Sequence, residues 1–283
     1  MAAAAEPARR VAFQGERGAY SEEAGIALLG ASLRAVPCRT FESLYSAVGE
    51  GRADYALAPL ENSLVGDVTR SLDLLQESAL FIIGEVIIHI SHNLIGHDSA
   101  RLDTVRVVES HPVALAQCER FFEEHPHIRR VVADDTAASV RRIVESGDKT
   151  RAAIAGRSAA RVYGGKILAE HLEDDAANYT RFVLLAPSAE VTDRADKLSV
   201  STLLPHCAGA LQRALAPFAR RGIELLRIAS RPLKGQPWRY RFFLDFKGST
   251  TDPAVSLALS EIRECAEEVR ILGCYPAAPI PIH

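Results

Sequence analysis

What this chain lacks narrows it first. No run of Lys and Arg disturbs a mild charge balance, 33 basic against 36 acidic residues for a formal net charge of −3. A nucleic-acid footprint needs a basic patch or stripe, so no nucleic-acid partner is expected. Cysteine is sparse: Cys38, Cys118, Cys207, Cys265 and Cys274 are odd in number, scattered, and form no C-x-x-C. That pattern excludes a disulfide framework and a zinc site, and it fits a reducing cytosol. The longest apolar stretches, such as "LFIIGEVIIHI", are too short and interrupted to span a membrane. The opening "MAAAAEPARRVAF" has small residues but not the apolar centre of a signal peptide, so a cytoplasmic protein is expected. "GERGAY" has neither the G-x-G-x-x-G nor the G-x-x-x-x-G-K-[ST] spacing of a phosphate loop. Its Gly15 and Gly18 read instead as a tight turn that exposes Ser21 to a cleft.

What is present is an ordinary globular composition, 48% hydrophobic and 24% charged, over 283 residues. That length suits two domains. Up to Ala186, short β-branched runs alternate with helical patterns: "RVAF" with "SEEAGIALLG", "TVRVVES" with "PVALAQCERFFEEH", "RRVVAD" with "TAASVRRIVESG". Strand–helix alternation implies α/β layering on a mostly parallel sheet. "LFIIGEVIIHISHNLIG" breaks the rhythm and reads as antiparallel or crossing structure. After the charged linker "PSAEVTDRADK" the order becomes β-α-β-β-α-β, with Leu211, Leu215 and Phe218 on one face of the first helix. Pro217 should kink or shorten that helix. Asp252-Pro253 caps the second, which carries Val255, Leu259, Ile262, Ala266 and Val269 at three- and four-residue steps.

Ligands of open α/β sheets gather where strands end and helices begin. Small polar residues mark several such points: Ser21, then Glu61, Asn62 and Ser63, then Ser110 and His111, then Thr136. Helix-start N–H groups favour an anion, so their recurrence around one cleft would suit a small carboxylate. Each residue taken alone reads more readily as an ordinary helix cap, and it is the recurrence that points to a ligand. His89 and His92, three apart in a strand, face opposite sides and read as solvent or core histidines rather than a metal pair. The segment "NYTRFVLLA" carries an amide, a phenol, a hydroxyl and a guanidinium straight into an apolar strand, with no strong acid or base.

The ordered set "VAFQGERGAYS", "APLENS", "ESHPVALAQC", "DDTAASV", "AAIAGRSAARVYG" and "NYTRFVLLA" resembles the catalytic domain of prephenate dehydratases and the related arogenate dehydratases. "LLPHCAGALQRALAPFARRGIELLRIASRP" with "WRYRFFLDF" resembles their ACT regulatory domain, and the likeness covers about residues 10 to 276. The resemblance implies a two-lobed α/β catalytic domain of the periplasmic-binding-protein type over residues 9–187, with crossings near 93–104 and 174–180, and a ferredoxin-like ACT domain over residues 197–276. It implies prephenate as substrate, phenylalanine as effector, no metal or organic cofactor, and a homodimer or homotetramer paired through ACT domains. Thr180 of the T-R-F element would assist departure of the hydroxyl. Arg181 would hold a substrate carboxylate or the lobes, Phe182 would pack on the ring or core, and Asn178, Ser110 and Thr136 would donate to carboxylates. Effector contacts would come from His206, Gly209, Ala210 and Leu211, and from Ser230, Arg231 and Pro232. Three places depart from the family pattern: His206-Cys207-Ala208 in the effector turn, Ala229 in place of a glutamate, and Val113 in place of a glutamine. A pure small-carboxylate sensor and an arogenate dehydratase are the rival readings.

Overall fold

A computed structural model of the chain describes residues 9–189 and 191–279, so the first eight residues of the opening stretch weighed above lie outside it. In chain order, β1 (Arg10–Gln14), α1 (Tyr20–Leu29), β2 (Arg34–Cys38), α2 (Phe41–Gly49) and β3 (Tyr55–Asn62) come first. A two-residue β4 (Gly66–Asp67), α3 (Thr69–Glu77), β5 (Phe81–His89) and β6 (Asn93–Gly96) follow. Next come β7 (Val107–Ser110), α4 (Pro112–Ala116), α5 (Glu119–Glu124), β8 (Arg129–Val132), α6 (Thr136–Ser146), β9 (Arg151–Ala155), α7 (Arg157–Tyr163) and β10 (Lys166–Ala169). The chain continues through β11 (Tyr179–Ala186), β12 (Lys197–Leu203), α8 (Ala210–Ala219), β13 (Leu225–Pro232), β14 (Tyr240–Lys247), α9 (Pro253–Cys265) and β15 (Glu268–Tyr275). No helix among the described residues is long and apolar enough to cross a membrane.

Contacts divide the described residues into two compact units, one of residues 9–66 with Ile87–Phe182, the other of Asp67–Val86 with residues 183–279. The first unit holds two sheets. In one, β1 lies between β2 and β3, parallel to both, and the start of β11 runs beyond β3. In the other, of order β10-β6-β9-β7-β8, β7 is parallel to β8 and β9 while β6 is antiparallel to β9 and β10. This is the two-lobed periplasmic-binding-protein arrangement. Because Asn93 already pairs with Ala155, the first crossing lies at residues 90–92, ahead of the 93–104 segment expected from sequence. β9 shows how the second lobe is built. Its Ala152 and Ile154 face the α4–α5 side, and Ala153 and Ala155 face α6 and α7, so the period of two puts an apolar core on each side of the sheet.

In the second unit β13-β14-β12-β15 form an antiparallel ferredoxin-like sheet. Leu198 and Val200 of β12 pack on α8 and α9 with Ala214, Phe218, Val255, Leu259 and Ile262. The α8 helix runs two residues beyond Pro217 before stopping, and Val269 belongs to β15, not to the helix that ends at Cys265. On the opposite face of β12, Ser201 donates to Gln76 Oε1 of α3 at 2.6 Å. Arg270 donates to the Leu75, Gln76 and Leu80 carbonyls and so closes the C-terminal end of α3.

Candidate active site

β11 is buried along almost its whole length, and its first residues meet the end of β3. Ser63 fixes that junction: its N–H donates to the Tyr179 carbonyl at 2.8 Å, its hydroxyl donates to the Ala177 carbonyl at 2.6 Å, and it accepts from the Tyr179 N–H at 2.9 Å. The junction brings Asn62 beside Asn178 and Thr180. Asn62 Nδ2 lies 2.8 Å from Asn178 Oδ1, 3.0 Å from the Tyr179 carbonyl and 3.0 Å from Thr180 Oγ1. The two hydrogens of that amide are shared among the three oxygens, and because an amide nitrogen only donates, Thr180 Oγ1 meets it as an acceptor and keeps its own hydrogen for another partner. Arg181 is buried, with its guanidinium 3.8 Å from the Glu61 carboxylate. Phe182 is buried in the strand.

The second lobe reaches the same place through Gln117. The helix expected over "PVALAQCERFFEEH" is two short helices, α4 and α5, broken at Gln117 and Cys118. The cause is Asp174 on the return crossing. Its carboxylate accepts from the Glu119 and Arg120 N–H groups at 2.8 and 3.0 Å, and its own N–H donates to the Gln117 carbonyl at 2.8 Å. An acid capping a new helix start is favourable in charge and geometry. The break leaves Gln117 Oε1 accepting from Asn178 Nδ2 at 3.0 Å and 2.9 Å from His92 Nε2. His92 lies on the first crossing, its backbone N–H donating to Glu173 at 2.7 Å and its Nδ1 2.9 Å from the Tyr20 hydroxyl. Burial pushes the His92 pKa down, and burial pushes that of Tyr20 well up, so both groups favour their uncharged forms.

Both lobes and both crossings thus contribute to one polar cluster. Asn62, Asn178 and Thr180 are in it, and Ser63, Glu61 and Arg181 border it. Ser110 is apart: its buried hydroxyl donates to the Ile154 carbonyl at 2.6 Å between β7 and β9. His111 caps α4, its Nδ1 accepting from the Val113 N–H at 3.3 Å, and burial lowers its pKa. Thr136 is the first residue of α6, whose cap is Asp135, and Ser21 is buried near the start of α1. Among the described residues, neither makes a hydrogen bond into the cluster. Sequence reasoning missed Gln117, His92 and Tyr20. A signal for Gln117 was present in the quoted "ESHPVALAQC", but the helical pattern hid it.

The turn before α1 also meets the second lobe. Gly18 has φ +80°, and a Cβ there would lie 2.7 Å from the Ala159 Cα. That close approach, at a backbone angle side chains avoid, is what requires glycine.

The sequence profile of a family described as prephenate dehydratase matches residues 11–190. The chain belongs to the prephenate dehydratase family. A bifunctional chorismate mutase/prephenate dehydratase of Neisseria gonorrhoeae is 36% identical over 269 residues, 95% of this chain and 74% of the relative. Arogenate dehydratase 2 of Petunia hybrida is 40% identical over 284 residues, 95% of this chain and 72% of the relative. A prephenate dehydratase from Arthrobacter aurescens, solved in complex with L-Phe, superposes with TM-score 0.86 at 33% identity over 95% of this chain and 90% of that one. A protein described as GqqA, a novel type of quorum quenching acylase, superposes with TM-score 0.87 at 35% identity over 96% of this chain and 99% of that one. As a prephenate dehydratase family member the chain is an enzyme, a carbon–oxygen lyase.

In this family member the expected effector residues gather in part. A cavity of about 150 Å³ in the second unit is lined by His206, Ala210, Leu211, Arg239, Tyr240 and Phe242 among others. Gly209, with φ +75°, opens α8 beside it. Ser230 and Pro232 stand in register with the lining residues Phe242 and Tyr240. Arg231 turns elsewhere: its guanidinium forks onto Asp73 of α3 at 2.9 and 2.8 Å.

Proposed function

We propose that the enzyme converts prephenate to phenylpyruvate in phenylalanine biosynthesis, with loss of CO2 and water. As the bond to the ring carboxylate breaks, its electron pair enters the ring while the C–O bond opposite breaks, and hydroxide leaves. Aromatisation drives the step, so the protein has only to orient the substrate and stabilise charge on the departing oxygen. The observation that carries this reading is the bond from Asn62 Nδ2 to Thr180 Oγ1, which leaves the threonine hydrogen for the leaving group. A second donor stands by: Gln117 Nε2 is buried and has no acceptor among the described residues. A neutral hydroxyl is a weak acid, so Thr180 acts by hydrogen bonding, directly or through water, and the proton that turns hydroxide into water comes from solvent. Arg181, beside Glu61, sets the strand edge or meets a substrate carboxylate.

The 40% identity to an arogenate dehydratase favours a second reading, in which arogenate yields phenylalanine directly. An acylase reading is less well supported. Asn62 is the side chain that meets Thr180 Oγ1 among the described residues, and an amide does not take a proton from a nucleophile.

We further infer regulation by phenylalanine in an ACT domain. The apolar cavity at the α8 start would take the ring, the helix-start N–H groups would take the carboxylate, and the L-Phe complex of the Arthrobacter relative supports the assignment. Pairing with a second copy through the C-terminal unit is supported by exposed Leu226 and Ile228 on its edge strand β13. Five free thiols agree with a cytoplasmic setting.

The test is to supply prephenate and follow the alkaline absorbance of phenylpyruvate, with and without phenylalanine. Phenylalanine formed from arogenate, without product from prephenate, would move the substrate to arogenate. Turnover of neither would leave the small-carboxylate sensor.

A further inference from the structure

Behind Thr180 the amide and imidazole groups form an unbroken chain whose polarity is set at one end. Asn62 Oδ1 accepts from two backbone N–H groups, Leu64 and Val65, both at 3.0 Å, while its Nδ2 faces the Tyr179 carbonyl at 3.0 Å. Turning this amide over would set N–H against N–H and oxygen against oxygen. Backbone groups cannot exchange roles, so its orientation is fixed. Asn62 Nδ2 then donates to Asn178 Oδ1 at 2.8 Å, which directs Asn178 Nδ2 to Gln117 Oε1 at 3.0 Å. The same Gln117 oxygen lies 2.9 Å from His92 Nε2. An amide oxygen only accepts, so this ring nitrogen carries a hydrogen. At the far side, the Tyr20 hydroxyl lies 2.9 Å from His92 Nδ1 and donates to the Ser91 carbonyl at 2.8 Å. The hydroxyl has one hydrogen: given to the Ser91 carbonyl, the oxygen accepts from an Nδ1–H, and turned to Nδ1 instead, it donates to a bare ring nitrogen, so the tyrosine side tolerates either ring tautomer and the glutamine side decides.

We propose that His92 is a positioning residue for the dehydration: held with hydrogen on Nε2, it locks Gln117 so that the amide –NH2, and not its oxygen, is presented to the substrate. This rests on the reading that Gln117 and Thr180 face the reacting ring. Gln117 Nε2 is buried, and no described residue accepts from it. Its oxygen is held from two sides, so reversing the amide sacrifices two hydrogen bonds and sets it against two donors. Burial of the ring favours its neutral form, while Glu173, beneath the His92 backbone N–H, pulls the other way. Both charge states of the ring keep hydrogen on Nε2 here, so the lock does not depend on which one is populated.

Full-length protein carrying 15N in its histidine rings tests the lock without reference to substrate. The ring resonance that disappears in His92→Gln should show hydrogen on Nε2 at neutral pH. A ring with hydrogen on Nδ1 alone overturns the proposal. Turnover supplies a second readout. His92→Gln, whose amide can donate to the same oxygen, keeps kcat within about threefold, whereas His92→Leu loses about 10- to 100-fold in kcat with a much smaller change in KM. Equal losses in the two variants, or a loss confined to KM, overturn it. If His92→Leu does not fold, the ring measurement still decides. An unsubstituted enzyme inactive on prephenate and arogenate would refute the reaction assigned above, while the nitrogen that bears hydrogen is read independently.

Discussion

In the proposed reaction Thr180 would work through what its neighbours have already satisfied. With Asn62 donating to its oxygen, the threonine has one role left, that of donor, and it holds that role before any substrate arrives. Thr180→Ala should therefore lower kcat by about 100- to 1,000-fold, the usual cost of removing one such donor, while thermal unfolding moves little. Thr180→Ser, which keeps the hydroxyl, should recover most of the rate. Steady-state kinetics beside a melting curve checks both. His92 gives a stability prediction at the same scale. Its folded pKa lies below the unfolded value of about 6.5, so the unfolded chain binds the proton more readily and stability is lost as pH falls below that value. The melting temperature should drop on the acid side of pH 6.5, less steeply in His92→Gln.

One short segment decides how the second lobe reaches the site. Glu173 and Asp174 sit on the return crossing, one accepting from the His92 backbone, the other capping α5 and splitting the helical run at Gln117. Without that cap, "PVALAQCERFFEEH" has the composition to continue as one helix, which would carry Gln117 away from its partners. Asp174→Ala should destabilise the protein by about 1 kcal/mol, the worth of a helix-start cap, and should lower kcat as well, because the carboxylate that starts α5 at Glu119 and Arg120, and so parts the helices at Gln117, is gone. A denaturant titration and a rate measurement on the same variant separate the two effects. Full activity with reduced stability would show that Gln117 holds its position unaided.

For the whole chain, the point of interest is where residues 67–86 are housed. They follow directly on the site loop Glu61–Gly66, yet they pack with the C-terminal sheet. Arg227 pairs with Asp67 and Arg231 with Asp73, so β13 holds the segment that leaves the site loop. The Arg231 guanidinium keeps the Asp73 carboxyl below its ordinary range, so the contribution of this pair is present above about pH 4 and fades as acid protonates the aspartate. If phenylalanine acts through the C-terminal unit, this is a route by which it would bias Asn62. Arg231→Ala should then shift the inhibitory phenylalanine concentration by about 5- to 150-fold, the range of ordinary coupling energies, as read from inhibition curves. An unchanged curve would remove α3 from the route.

Periodicity and punctuation in the sequence were enough for the α/β class, the change to β-α-β-β-α-β after the linker, and the Asp252-Pro253 helix start, because these depend on local backbone preference and on which face is apolar. The E-N-S element stood out because it lies where a strand meets a turn and the T-R-F element through the family resemblance, and the fold brings Asn62 of the first beside Thr180 of the second. Tertiary structure alone decided the rest. Ser110 looked like a ligand donor, but its hydroxyl is used by a carbonyl across the sheet. Arg231 looked like an effector contact, and it binds an aspartate 158 positions away. Gln117 looked like one more helical residue until an acid 57 positions later broke the helix. A hydrogen bond is short and directional, and its partner here is set by how the chain crosses between lobes, which no spacing in the sequence records.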